Sequence, residues 1–475
     1  MSRIESGGRA GRGTRVPRWL LALPVLVTAA IAAAGLVVGP AEPSSTPARE
    51  VRLDRGSYAC PGGLSTTAGQ LSPGDEATAR SLPLVTSDSV DAPDARSVDA
   101  LADPRTWRSA TTPEGSTVVS QSGRGTGAVG FVSGRLAKDD GGGLVVAGCP
   151  SVADDAWFTG LGSGSKHQST LLLTNTADTP AAVDVELWNT QGVVDAIDND
   201  GIVVPAGASR RVRLADLAAG ERQLAVHVVR LRGALTVSAL DTSTAVFQGS
   251  EISTGSVDPA RTQWVPGVVA GEKGRTLVLV NPGDTTARVS VTAFGAKGRF
   301  VPEGLSDLKV RAGRLRQVVL PRTVGSGAVA LRLTSDEPVA ASVRLEPDTD
   351  DFARAESAPV LDGTAAVPLG LDETKGVPDL ILSGVGRRSA TVRLVSYDAA
   401  MKKVDEATVT VEAGRTDVLD LADELTTKGA AVVLVRGAGD VVGAATYASG
   451  SRIASVPLVA TPVTALGPRV RVVGP

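Results

Sequence analysis

Only two histidines and two cysteines occur in 475 residues. That scarcity excludes most metal sites and most histidine-based catalysis, which need several such groups converging. Aromatic residues make up 3% of the chain, too few for aromatic-lined sugar or nucleobase platforms. Neither sign of charge is in excess: 48 Lys+Arg against 51 Asp+Glu leave a formal net charge of −3. A nucleic-acid binder would show a basic footprint, so nucleic acid is not an expected partner. Helices of about 10–15 residues between strands, which a parallel α/β fold requires, are not evident. The one helical hint is Val418–Leu425, a turn or two at a sheet corner. What is abundant is Gly (54) and Pro (28), on a background of Val, Thr and Ala. That is the composition of many short strands joined by tight turns.

The N-terminus points to a compartment. Residues 1–18 carry Arg3, Arg9, Arg12, Arg15 and Arg18 against the single acid Glu5, and form an expected cytoplasmic basic tail. Trp19 to Gly39 then runs 21 residues without a charge. A bilayer core needs roughly 20 apolar residues, so 19–39 is an expected transmembrane anchor. Arginines on its N-terminal flank predict the N-terminus inside and the rest of the chain extracytoplasmic. The alternative is a cleaved signal peptide, with Gly39-Pro40-Ala41 as the small-residue site. Residues 40–50 form a Pro/Ser/Thr stalk. In an oxidising space two otherwise lone cysteines most simply pair, which predicts a Cys60–Cys149 disulfide. It would staple a variant β-domain over 51–150.

Three later segments align without gaps: Leu171–Trp188, Leu277–Phe294 and Leu380–Tyr397. Each ends in an aromatic 17 residues after its leading Leu. Val183, Val289 and Val392 fill one column; Val185, Val291 and Leu394 fill the column two residues on. That period marks a half-buried strand, and each segment reads as strand, turn, strand. Upstream lie Trp157-Phe-Thr-Gly160, Trp264-Val-Pro-Gly267 and Val367-Pro-Leu-Gly370. Each copy closes on a hairpin-like pair: Ala225–Leu231 with Ala234–Leu240, Ala328–Leu333 with Val339–Leu345, and Ala431–Val435 with Val441–Tyr447. The expected fold is therefore all-β, with tandem immunoglobulin/fibronectin-like β-sandwich repeats at 155–250, 262–347 and 364–465. Linkers are expected near 248–262 and 347–363. A propeller with two blades per copy is the second solution; tandem beads are favoured because each copy can bury its own core.

Few side chains suggest chemistry. Arg124–Gly130 contains Gly-x-Gly-x-x-Gly, but it leads into another glycine-rich stretch rather than a helix, so a hairpin is expected. Gly164-Ser-Lys166 resembles a phosphate loop only superficially. Asp195, Asp198, Asn199 and Asp200 before Gly201 offer oxygen ligands for calcium, yet the run is equally an ordinary turn. Asp348, Asp350 and Asp351 read as solvated linker acids. His167 sits in a Gly/Ser turn and His227 in a strand, neither with a partner set for a triad, and no Gly-x-Ser-x-Gly elbow occurs. The column Trp188, Phe294 and Tyr397 suits core or strand-end packing. Trp157 and Trp264 would seal each repeat against the one before it. No catalytic, cofactor-binding or metal residues are assigned, and no cofactor is expected.

The layout resembles a family of uncharacterised actinobacterial envelope proteins built on a domain of unknown function. The resemblance rests on the Arg-rich start, the single anchor, Cys60-Pro61, Cys149-Pro150 and Trp157-Phe-Thr-Gly160, and it covers nearly the whole chain. It implies location in the cell envelope and carries no activity. The expected function is a non-enzymatic, single-pass membrane-anchored scaffold, structural or binding, with an envelope protein or glycan as partner. The alternatives are an enzyme or accessory subunit acting on envelope glycans, and a sensor ectodomain.

Overall fold

The computed structural model describes residues 50–52, 55–61, 80–84, 94–97, 110–111, 116–122, 129–135, 142–461 and 464–466, except 246–247, 271–273, 326, 348–350, 372–373, 375 and 401. The tail 1–18, the apolar segment 19–39, the stalk up to residue 49, the start of the Gly-x-Gly-x-x-Gly stretch, Asp348 and Asp350 lie outside the described residues. Among the described residues, no helix is long and apolar enough to cross a membrane. The chain divides into two units, 1–51 with 465–475, and 52–464. The second unit holds nearly all described residues.

That unit is all-β, with antiparallel sheets throughout. Its described helices are single turns, Leu214–Leu217, Leu421–Glu424 and the 3-10 turn Arg322–Val324. In the third copy, Asp420 caps its turn by accepting from the Ala422 N–H at 2.8 Å, which is the preferred role of Asp before a helix.

The first copy builds two sheets. One orders Ile202–Val204, Ala181–Trp188, Leu224–Arg232 and Asp155–Leu161. The other orders Ser209–Arg213, His167–Asn175, Leu235–Ser243 and Gly249–Ser253. Between them lies a core of Leu171, Leu173, Val183, Val185, Val226, Val237 and their neighbours. The strand-turn-strand segments are thus arches, not hairpins: their two strands belong to different sheets. The same holds for Leu224–Arg232 and Leu235–Ser243. A turn sequence alone does not distinguish the two cases; burying both apolar faces requires the crossing. Asn175 secures the first arch, its Nδ2 donating to the carbonyls of Thr179, Val204 and Pro205. Asn281 repeats this in the second copy, donating to Thr285 and Val310.

The other copies follow the plan with one variation. The expected pair Ala328–Leu333 and Val339–Leu345 is a single 18-residue strand, Val329–Glu346. Its first half pairs with Ala260–Val268 and Ala287–Gly295, its second with Gly274–Asn281 and Ala353–Glu356. The first and third copies break at this point at Gly233 and Gly439, with φ of 84° and 81°. The second copy has Asp336-Glu337-Pro338 there and continues extended.

The linkers expected near 248–262 and 347–363 hold buried strands instead, Gly249–Ser253 and Ala353–Glu356. They are short and polar, which disguised them. With Leu144–Gly148 and Arg452–Pro457 they form inner sheet edges that touch in turn. Val132, Val145 and Ala147 pack on Leu172, Leu240 and Ile252 of the first copy. Phe131, Leu144 and Val146 join the core of the third. First meets second, and second meets third, through further apolar clusters. The sandwiches therefore close into a ring rather than hanging as beads, and the N-terminal strands are its fourth member. The Cys60–Cys149 disulfide ties Arg55–Cys60 to the end of Leu144–Gly148.

Candidate functional site

The densest polar chemistry lies in the seam between the first and second copies. The Trp-x-x-Gly motif leads into it. Gly160 has φ of 81°, and a Cβ there would stand 2.5 Å from Arg354 Nη1. Absence of a side chain lets the Arg354 guanidinium reach the Thr159 carbonyl, to which it donates. Its Nη2 donates to Asp241 Oδ2 at 2.5 Å, and both side chains are 1% exposed. Asp241 Oδ1 accepts from Ser169 Oγ at 2.6 Å and meets His167 Nε2 at 2.8 Å. Strand register supplies the rest. Asp241 faces Glu251 across one strand pair; Arg344 faces Arg354, and Ser342 faces Glu356, across another. Thr159 Oγ1 donates to Ser342 Oγ at 2.6 Å, and Ser253 donates to Glu356.

These carboxyls divide. Burial acts against the charge of Asp241, but His167, Arg354 and Arg344 together hold it well below the usual carboxylate range. Burial pushes Glu251 up to about 8, the neighbouring acids Glu356 and Asp241 adding to it against Arg354. Burial also raises Glu356. Asp241 thus carries a charge while Glu251 sits protonated at neutral pH, the arrangement expected when like charges crowd in a dry site.

Asp351 occupies the meeting point of the inner strands. Its Oδ2 accepts from Leu144 N at 3.4 Å and Ile453 N at 3.1 Å; its Oδ1 accepts from Phe352 N at 2.9 Å. A Cβ on Gly249 would run into the same carboxylate. One side chain thus joins three members of the ring and abuts the fourth. The expectation of a solvated linker acid is corrected: Asp351 is 1% exposed, and burial lifts its pKa to about 7 against those backbone donors.

Towards the outside of the same seam, Trp157 stacks on His227 with centroids 4.0 Å apart and on Trp188 at 5.2 Å. His227 Nδ1 meets Glu186 Oε2 at 2.9 Å and its Nε2 meets Asp155 Oδ2 at 3.1 Å. The tryptophans bury Val278, Val280, Leu315 and Ala340 of the second copy. Trp264 and Phe294, 5.1 Å apart, do the same against Val442 of the third. The direction differs from the expectation: each tryptophan seals its copy against the following one, because the opening strand is a sheet edge facing forward.

An open cleft of about 680 Å³ lies between the second and third copies, lined by Ala328, Thr410, Glu412, Arg415, Asp417 and Glu424 among others. Burial raises Asp417, and Glu412 adds to it.

The other sequence candidates stay apart. Around Asp195–Asp200, Asn199 Nδ2 donates to the Val185 carbonyl and the Gly201 N–H to Asp184 Oδ1, so the run closes as a turn on its neighbouring strand. Among the described residues, no group of three His, Cys, Asp or Glu could hold a metal ion. Sequence reasoning missed Asp241, Glu251, Arg354 and Glu356. A signal existed: Val237, Ala239 and Asp241 continue one inward column, so an acid ends an apolar face.

Residues 108–422 match the model of a Family of unknown function (DUF5719). No curated protein and no solved structure matches the chain.

Proposed function

Since the chain belongs to the DUF5719 family, which is of unknown function, we propose from its geometry that it is a non-enzymatic scaffold. It is an array of immunoglobulin/fibronectin-like sandwiches on the extracytoplasmic side of a single N-terminal membrane span, holding an envelope protein or glycan. One observation carries the reading. The perturbed carboxyls Asp241, Glu251, Asp351 and Glu356 lie at junctions between ring members, each at most 7% exposed. Groups so placed act on the assembly rather than on a substrate. Perturbed groups at a substrate site would instead face a cleft.

The glycan-acting alternative draws on one feature, the cleft carrying Glu412, Asp417 and Glu424. Crosslinking and pull-down from intact cells tests the first reading, together with salt extraction of membranes. The expected result is full-length protein resisting high salt and captured with an envelope component that it leaves chemically intact. A mature chain beginning near Glu42 and recovered in the medium would refute the anchor. Glycan cleavage lost on Asp417→Asn would refute the scaffold.

A further inference from the structure

The two seams place different basic side chains at one repeat position. In the first copy Trp157 pairs with His227, which pairs with Glu186 across the next strand. In the second, Trp264 pairs with Arg332, which pairs with Thr292. Arg332 lies 5.9 Å from the centroids of both Trp264 and Phe294, a permanent cation on an aromatic pair. His227 holds the corresponding place, stacked on Trp157.

Both ring nitrogens of His227 face carboxylate oxygens, Glu186 at 2.9 Å and Asp155 at 3.1 Å. Ionised carboxylates only accept hydrogen bonds, so satisfying both contacts requires a proton on each nitrogen, the imidazolium. Asp258, on the segment leading into the second copy, also feels His227 and Asp155. Arg230, on His227's own strand, is engaged by Asp154 and the Ala153 and Gly233 carbonyls. From the second copy, the groups against the stack are the apolar Val278, Val280, Leu315 and Ala340.

We propose that His227 is a proton-dependent clamp on the seam between the first and second copies. The imidazolium draws the Asp155 and Glu186 strands together behind Trp157 and holds the tryptophan pair against the second copy. Loss of one proton turns a donor into a lone pair facing a carboxylate, and leaves Asp155, Glu186 and Asp258 without the cation between them. The seam then loosens, while the Arg332 seam stays closed.

Hydrogen–deuterium exchange of the full-length protein tests this, at about pH 5.5 and about pH 8 with intrinsic exchange corrected. The expected result is protection of peptides over 155–161 and 276–281 falling about tenfold between the two, an ordinary coupling size. Peptides over 260–268 and 441–449 should hold theirs. On a Glu251→Gln background, which removes the pH response of that buried carboxyl, His227→Arg should abolish the fall and Glu186→Gln should reduce it, with circular dichroism confirming that the variants fold. A pH-independent wild-type seam would overturn the proposal. So would a fall of the same size in His227→Arg and in its parent when both carry Glu251→Gln.

Discussion

The seam between the first and second copies and the seam between the second and third use the same strands of one repeat, yet differ in kind. The first carries Asp241, Arg354, Glu251, Glu356 and His227. The second carries Trp264, Phe294, Arg332 and Val442, with Thr416 donating to the Phe294 carbonyl at 2.6 Å. Backbone architecture is therefore indifferent to what fills a junction, and the junction sets its response to pH and mutation. A buried ion pair is weak evidence for net stability, but breaking one leaves an uncompensated charge.

The largest expected effect sharpens this contrast. Arg354→Ala takes the buried guanidinium from Asp241, which keeps only Ser169 and His167, and should cost about 3–5 kcal/mol, measured by denaturant unfolding. Arg332→Ala, in the second seam, removes a cation–π contact and should cost about 1 kcal/mol. Equal costs would mean the seams are alike. Next, Cys149→Ser opens a bond spanning 89 residues and should cost roughly 2–5 kcal/mol. Because Leu144–Gly148 touches the first and third copies, proteolysis should then reach the inner edges of both, an outcome tandem beads would not give.

The repeated glycine gives a smaller, internally controlled comparison. Gly160 and Gly370 have φ of 81° and 65°, but only the former faces a neighbour, Arg354; the latter has nothing within 4 Å. Both Ala variants bear the backbone strain of about 1 kcal/mol, and thermal melting should place Gly160→Ala clearly below Gly370→Ala. The smallest effect is in the pH profile. Glu251 and Asp351 are raised to about 8 and about 7, so the folded chain holds protons that the unfolded chain has released. Stability from these groups is present below the unfolded carboxylate range and is lost as pH rises towards 8. Asp241, held low, works oppositely and weakens the fold only in acid. Glu251→Gln should flatten the decline between about pH 5 and 8 in melting curves.

The strand columns were legible in the sequence. Val183, Val289 and Val392 are each fully buried, as period-2 spacing demands. The Cys60–Cys149 pair was legible by elimination. The charged seam was not. Asp241 and Arg354 are 113 residues apart and meet only because two inner edge strands are neighbours in the ring. Those strands are four and five residues long and rich in Ser, Glu and Arg, a composition that reads as linker. Sandwich versus ring was equally hidden, since one apolar alternation serves a bead with a wet outer face and a blade with two dry ones.

The strand Val329–Glu346 gives the second copy a mechanical property its neighbours lack. In the first and third copies a pull on one sheet reaches the other through a glycine pivot, Gly233 or Gly439. In the second copy the two sheets share one extended backbone with no such pivot, so tension passes along a strand that is already drawn out. Under load the middle sandwich should act as the stiffer strut, with yielding concentrated at Gly233 and Gly439 in the copies on either side.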